Sequence, residues 1–321
     1  KWMKPEKRKT LFPMNLLGGR SRIEYQPLGV VGVISPWNFP VNLTFGPMAD
    51  ILAAGNRVMI KPSEFTPTVS EVIAEVVREA WSEEEVAIFT GGPEVGAAFS
   101  ALPFDHLLFT GATSIARHVM AAAAQNLVPV TLELGGKSPV LISRSADVKT
   151  AVSRIMLGKT MNAGQICLAP DYLMVPEEKL DEVVSEIGEA VGSMYPSMLK
   201  NPEYTSMIND RHYQRLQENV SDAREKGANV MELTPEGEDF STQEGTRKIP
   251  PTVITGATDD MRVLQEEILG PLLPVITYKD FNETIDYVNR QPRALALYYF
   301  GNDQREERDV LDRTEIGRAH V

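Results

Sequence analysis

Short runs rich in β-branched residues alternate with longer stretches whose apolar positions recur every three or four residues. This is the pattern of a parallel sheet covered by helices. In the first half, residues 29–35, 56–61, 86–89, 106–109 and 130–133 read as strands. Residues 47–54 read as a short helix opening on Pro47. Val69, Val72, Ile73, Val76, Val77 and Ala80 mark one face of a helix that starts at Thr66-Pro67. Another helix is expected over 112–124. The second half repeats the alternation with longer loops: strands over 139–142, 171–175, 252–255, 274–278 and 294–300, and helices over 147–162, 176–194 and 210–226. Residues 234–245, polar and rich in Gly and Glu, read as a surface loop. Residues 9–25 read as an extended arm or an edge hairpin. Two glycines end a strand at Gly135-Gly136, and a domain boundary is placed there.

Composition narrows the class. A chain of 321 residues is long enough for two domains with their own cores, and 43% hydrophobic with 24% charged residues is ordinary for a globular protein. The net charge of −12, with no block of basic residues, argues against nucleic acid and anionic membranes as partners. No apolar run reaches membrane-spanning length, and the opening Lys1-Trp2-Met3-Lys4-Pro5 is not a signal peptide. A single cysteine makes no internal disulfide, so a cytoplasmic protein is expected. No cluster of residues suggests a metal site.

That cysteine, Cys167, sits in the small flexible turn Asn162-Ala163-Gly164-Gln165-Ile166-Cys167. A lone cysteine serves either as an inert small hydrophobe or as a nucleophile. The second role needs a route to thiolate and a donor for the charge that follows attack. His106, His118 and His212 show no thiol-hydrolase context. Glu133, a carboxylate inside the apolar run Val130-Thr131-Leu132-Glu133-Leu134, is either a water-facing strand residue or a base whose pKa burial has raised. Asn38, in Ser35-Pro36-Trp37-Asn38-Phe39-Pro40, either satisfies its own turn or aims an N–H at a reacting oxygen. Lys61 and Glu64 close a strand where an acidic residue can hold ribose hydroxyls, or form an ordinary solvated pair. The helix after Phe109-Thr110-Gly111 offers N–H groups to phosphate, as helix starts do in general.

Five segments together resemble the aldehyde dehydrogenase superfamily. They are Pro36-Trp37-Asn38-Phe39-Pro40, Lys61-Pro62-Ser63-Glu64, Leu132-Glu133-Leu134-Gly135-Gly136-Lys137-Ser138-Pro139, Gly164-Gln165-Ile166-Cys167 and Glu266-Glu267-Ile268-Leu269-Gly270-Pro271. Val128-Pro129-Val130-Thr131 and Ala169-Pro170-Asp171-Tyr172 are similar to the coniferyl aldehyde dehydrogenase branch. The resemblance implies an α/β fold with a Rossmann-like cofactor domain over 26–135 and an α/β catalytic domain over 136–314. It implies a partial oligomerisation hairpin over 1–25, a small-molecule aldehyde as substrate, a homodimer, and NAD as cofactor with NADP as the alternative. Cys167 would attack the aldehyde carbon, Asn38 and the Cys167 N–H would hold the oxyanion, and Glu133 would activate water. Pro36, Trp37, Lys61, Glu64, Gly111, Glu267 and Leu269 would contact the cofactor. A Glu64 carboxylate repels a 2′-phosphate and so favours NAD, a preference that Lys61 softens.

Leu269 stands where the family usually has Phe, Ala116 where Gly is frequent, and Ala112 where Ser or Asn is frequent; weaker cofactor binding is expected from these. Against the family pattern the chain is expected to be a gene fragment lacking the opening helices, the last catalytic strands and the C-terminal arm, with 315–321 an artificial tail. The competing readings are a dehydrogenase that passes its acyl group to coenzyme A, a cofactor-free thiol esterase, and an inert folded protein. Glu133 argues against the first, because those enzymes generally lack this base.

Overall fold

In a computed structural model of the chain, residues 3–243, 245–317 and 319–320 are described, the last pair for backbone alone. The opening Lys1-Trp2 and part of the tail segment 315–321 and of the loop 234–245 therefore lie outside the described residues. The chain divides into two compact units, one running to Glu133 and one from Leu134 to Ala319.

The first unit opens with β1 (Glu6–Arg8) and β2 (Ser21–Ile23), paired antiparallel with Glu6 opposite Ile23, so the segment is a hairpin. There follow β3 (Val30–Ile34), α1 (Asn42–Ala53), β4 (Arg57–Lys61), α2 (Pro67–Ala80), β5 (Val86–Ile88), α3 (Pro93–Ser100), β6 (His106–Gly111), α4 (Thr113–Ala124) and β7 (Val130–Leu134). The sheet order is β7-β6-β3-β4-β5, with the two-residue strand Ala319–His320 added on the β7 side. β3 runs parallel to β4 and to β6, and β4 runs parallel to β5. Val33 and Ile60 on the central strands are wholly buried against Met48, Ile73, Val77 and Val86. Each contributes roughly 1.5–3 kcal/mol by leaving water. The chain builds outward from β3 through β4 to β5, then returns to the other side of β3 with β6. That reversal of strand order between β3 and β6 opens a crevice at the carboxyl ends of the strands, where open α/β sheets bind their ligands.

The second unit comprises β8 (Pro139–Ile142), α5 (Val148–Thr160), β9 (Tyr172–Pro176), α6 (Leu180–Met194), α7 (Asp210–Glu225), β10 (Asn229–Glu232), β11 (Thr252–Thr255), α8 (Arg262–Gln265), β12 (Leu272–Tyr278), α9 (Phe281–Arg290), β13 (Tyr298–Phe300) and α10 (Gln304–Arg313). Its sheet order is β10-β11-β12-β9-β8-β13, antiparallel at the β10–β11 edge and parallel at the other four junctions. Leu141, Leu173, Ile254 and Leu272 fill its middle.

Several expectations need correction. The helix expected over 47–54 begins at Asn42 and contains Pro47. A proline is favoured at a helix start, but inside it costs only the one amide bond it cannot make and a steric adjustment that packing here outweighs. The strand expected over 294–300 is ordered as β only from Tyr298, because Ala294 instead accepts the Gly317 N–H at 2.9 Å. Helices α3, α8, α9 and α10 and edge strand β10 are not among the expected elements. For α9 a signal existed: Asp280 and Glu283 form a reciprocal capping box.

Candidate active site

Helix α5 sets up the cysteine turn. Asp147 caps its start by accepting the Thr150 N–H at 2.8 Å. Beyond its end, Asn162, Ala163 and Gly164 all take left-handed backbone angles, with φ of 50°, 49° and 74°. A non-glycine residue there costs on the order of 1–2 kcal/mol, so tertiary contacts must hold the turn. Gly164 explains one of them. A Cβ on it would stand 2.3 Å from the Gly270 carbonyl oxygen, so only glycine allows that approach. Gln165 supplies the others. Buried, it donates from Nε2 to the Asn162 and Ser206 carbonyls, both at 3.1 Å, and accepts the Ile208 N–H at 3.0 Å. Cys167 is half-buried in the turn that follows. The next carbonyl, that of Leu168, accepts the Tyr298 hydroxyl at 2.6 Å.

The segment Glu266-Glu267-Ile268-Leu269-Gly270 is clamped from three sides. Buried Lys137 pairs with buried Asp171 and also donates to the carbonyls of Val263 (2.8 Å) and Glu266 (3.1 Å). The second Asp171 oxygen accepts the Ile268 N–H at 2.9 Å. Arg215 donates to the carbonyls of Glu267 (3.2 Å) and Ile268 (2.5 Å). These bonds hold Leu269 at φ 44°. The Glu267 carboxyl lies against the backbone of Gly135, where a Cβ would meet its oxygen at 2.0 Å. Burial, and next the Asp171 charge, push it up to about 7, with the Gly136 N–H and the cations of Arg215 and Lys137 opposing. Lys159, wholly buried on α5, is lowered to about 8 by burial despite Asp171. The structure thus joins Cys167 to Glu267 and Leu269 through the Gly164–Gly270 contact. Lys137, Asp171, Arg215 and Gln165, which hold the two segments, were not among the candidate site residues. Lone charges opening the apolar runs after Lys137 and Asp171 are the signal that could have found the first pair.

In the first unit, the candidates gather at carboxyl ends of strands. Ser35-Pro36-Trp37-Asn38 follows β3, Lys61 ends β4, and Gly111 ends β6. The Ser35 N–H donates to the Lys61 carbonyl at 3.2 Å, and Thr44 donates to the Ser35 hydroxyl at 2.7 Å. The Asn38 Oδ1 accepts the Phe39 N–H at 3.2 Å. Lys61 Nζ lies 2.7 Å from Glu64 Oε2. Although partial burial opposes it, the lysine holds Glu64 below its ordinary value. Helix α4 starts on Ala112 with no side-chain cap. Glu133, half-buried near the end of β7, is raised above its ordinary value by burial.

A dinucleotide suits this set: a carboxylate and an ammonium for ribose hydroxyls beyond β4, and a helix start at the strand-order reversal for phosphate. Among the described residues no group of three or more His, Cys, Asp or Glu could hold a metal ion, and no helix is long and apolar enough to cross a membrane.

Comparison with known proteins gives the chain's relatives. A model described as "Aldehyde dehydrogenase family" matches residues 3–321. A "probable coniferyl aldehyde dehydrogenase" of Caulobacter vibrioides is 60% identical over 322 residues, covering all of this chain and 66% of that protein. The chain thus spans just under two thirds of the length of that relative. A substrate-bound AldH of Staphylococcus aureus superposes with a TM-score of 0.90 at 36% identity, over 98% of this chain and 66% of the other. A mutant of aldehyde dehydrogenase C from Pseudomonas syringae, solved with NAD+ and octanal, gives a TM-score of 0.83 at 31% identity over 92% of this chain and 62% of its own.

Proposed function

The chain belongs to the aldehyde dehydrogenase family, and from that premise we propose that the protein oxidises an aldehyde to its carboxylic acid, with Cys167 as nucleophile and NAD as hydride acceptor. The observation that carries the reading is the left-handed turn before Cys167, held by Gly164 against Gly270 and by buried Gln165. Such strain is kept where a side chain must be presented in one place.

As thiolate, Cys167 attacks the carbonyl carbon and forms a thiohemiacetal; the Asn38 side-chain N–H and the Cys167 backbone N–H hold the oxygen that becomes negative. A bound nicotinamide would supply the acceptor for the hydride that the former aldehyde carbon gives up. The carbonyl re-forms as a thioester on Cys167. Glu133 takes a proton from water, whose oxygen attacks the thioester, and the acid leaves as the thiolate returns. Lys61 and Glu64 would hold the adenosine ribose of the cofactor, Pro36, Trp37 and Gly111 would contact it, and Glu267 and Leu269 would contact its nicotinamide half. An ionised Glu64 disfavours a 2′-phosphate, so NAD is preferred to NADP, with Lys61 moderating the difference. The relatives' names support an aromatic aldehyde of the coniferaldehyde type as substrate. A cytoplasmic location and a homodimer formed through the β1–β2 hairpin belong to the same proposal.

The test is nicotinamide reduction with a panel of aromatic and aliphatic aldehydes, comparing wild type with Cys167→Ala. Turnover lost in the variant, with free acid as product, supports the reading. Undiminished turnover sinks it, and preferential formation of acyl-CoA would shift it to the acyl-transferring class.

A further inference from the structure

We propose that Tyr298 is a positioning residue for Cys167: by holding the turn in which the cysteine sits, its hydroxyl fixes the direction of the Cys167 backbone N–H, the group that meets the aldehyde oxygen when the thiolate attacks. This rests on the aldehyde reading above, in which that N–H holds the oxyanion, and deepens it.

Ile166, Cys167, Leu168 and Ala169 make one tight turn, closed by the Ala169 N–H on the Ile166 carbonyl at 3.0 Å. The Ile166 carbonyl and the Cys167 N–H belong to one trans peptide and point in opposite directions. With the carbonyl turned in toward Ala169, the Cys167 N–H is turned out of the loop. The peptide that does the holding, between Leu168 and Ala169, is itself gripped at its other end. Its carbonyl accepts the Tyr298 hydroxyl at 2.6 Å, at the short end of the range for such bonds. Orientation therefore passes from the phenol, through the second peptide, to the first.

Tyr298 serves as a fixed post because of where it stands. It opens β13 opposite wholly buried Val140 of parallel β8, and its side chain packs against the core cluster that holds Val140, Ile142 and Leu173. Burial, and next the charge of Cys167, raise the phenol above its ordinary value. It therefore keeps its proton, and stays a donor, over the range in which a thiol ionises. The effect of Cys167 also puts the phenol within electrostatic reach of the sulfur. A turn closed only by its own Ala169–Ile166 bond is free to tilt, and a donor tilted away from the developing charge loses most of its value.

Two reactions of Cys167 separate the direction of the N–H from the placement of the sulfur, and neither needs a cofactor. Attack on 4-nitrophenyl acetate puts negative charge on the ester oxygen, then expels 4-nitrophenolate and leaves acetyl on the sulfur. The burst of nitrophenolate reads the oxyanion donor. Alkylation by iodoacetamide displaces iodide from a saturated carbon with no oxyanion, so it reads only thiolate and access. Tyr298→Phe keeps the ring and removes the hydroxyl. It should slow the burst about tenfold or more, while iodoacetamide reacts within about twofold of the wild-type rate across the thiol's titration range. Tyr299→Phe removes the neighbouring hydroxyl, which bonds to the Asp303 carbonyl and Glu306 instead, and should leave both rates unchanged. The proposal is overturned if both reactions of Tyr298→Phe slow by the same factor, since the hydroxyl would then place the sulfur rather than the N–H. A burst that survives Cys167→Ala overturns the catalytic reading and this proposal with it. A burst lost in Cys167→Ala but intact in Tyr298→Phe overturns this proposal alone.

Discussion

Burial raises two carboxylates, and each has a measurable consequence. Burial holds Glu133 above its ordinary value, so its basic form fills only as pH rises through that raised value. The step that releases acid should therefore climb with pH over a range above the usual glutamate titration. Glu133→Gln should lower steady-state turnover by about 10²- to 10⁴-fold while sparing the first burst of nicotinamide reduction, read by stopped-flow absorbance. A steady-state rate equal to wild type would remove Glu133 from the mechanism. Glu267, pushed up to about 7, keeps its proton in the folded protein where the unfolded chain has lost it. The folded state then binds more protons between about 4.5 and 7, so this residue makes stability fall as pH rises through that window. Glu267→Gln should remove the loss, gaining on the order of 1–3 kcal/mol over wild type between pH 5 and pH 8 in denaturant titrations. A pH-independent difference would contradict the assignment.

At the scale of elements, the cysteine turn depends on one glycine more than on any side chain. Gly164 combines a left-handed backbone with a carbonyl packed against the place a Cβ would fill. Gly164→Ala should cost about 2–4 kcal/mol and slow the alkylation of Cys167 by iodoacetamide, since relief of the clash moves either the turn or the segment 266–270. Chemical denaturation together with the alkylation rate checks both effects. Wild-type values in both would mean that the two segments are not held together as described. Leu269 persists at positive φ between that contact and the residues before it, whose amide and carbonyl groups are taken by Lys137, Asp171 and Arg215.

For the molecule as a whole, a net charge of −12 repels an anionic dinucleotide at long range, so affinity must come from local donors. NAD at a hundred times its dissociation constant should stabilise the protein by about 2.7 kcal/mol, visible as a raised Tm in scanning fluorimetry. Lys61→Ala should reduce that rise by weakening the hold on the ribose. A full rise in the variant would show that the ammonium beside Glu64 is not a cofactor contact.

Which segments form strands and helices was largely legible in the sequence, since β3, β4, α2, β9 and β11 announce themselves by local periodicity, and periodicity is a property of neighbours along the chain. So were the residue types at the candidate site, because Cys167 is the sole thiol and Glu133 a lone carboxylate in an apolar run. Only the tertiary structure decided what surrounds them: that Gly164 meets Gly270, 106 positions away in sequence numbering by simple difference of the two, that Lys137 finds Asp171, and that the Tyr298 hydroxyl finds the Leu168 carbonyl. Burial and close approach are set by residues distant along the chain, and the shifts of Glu133 and Glu267 follow from burial, so no local pattern encodes them.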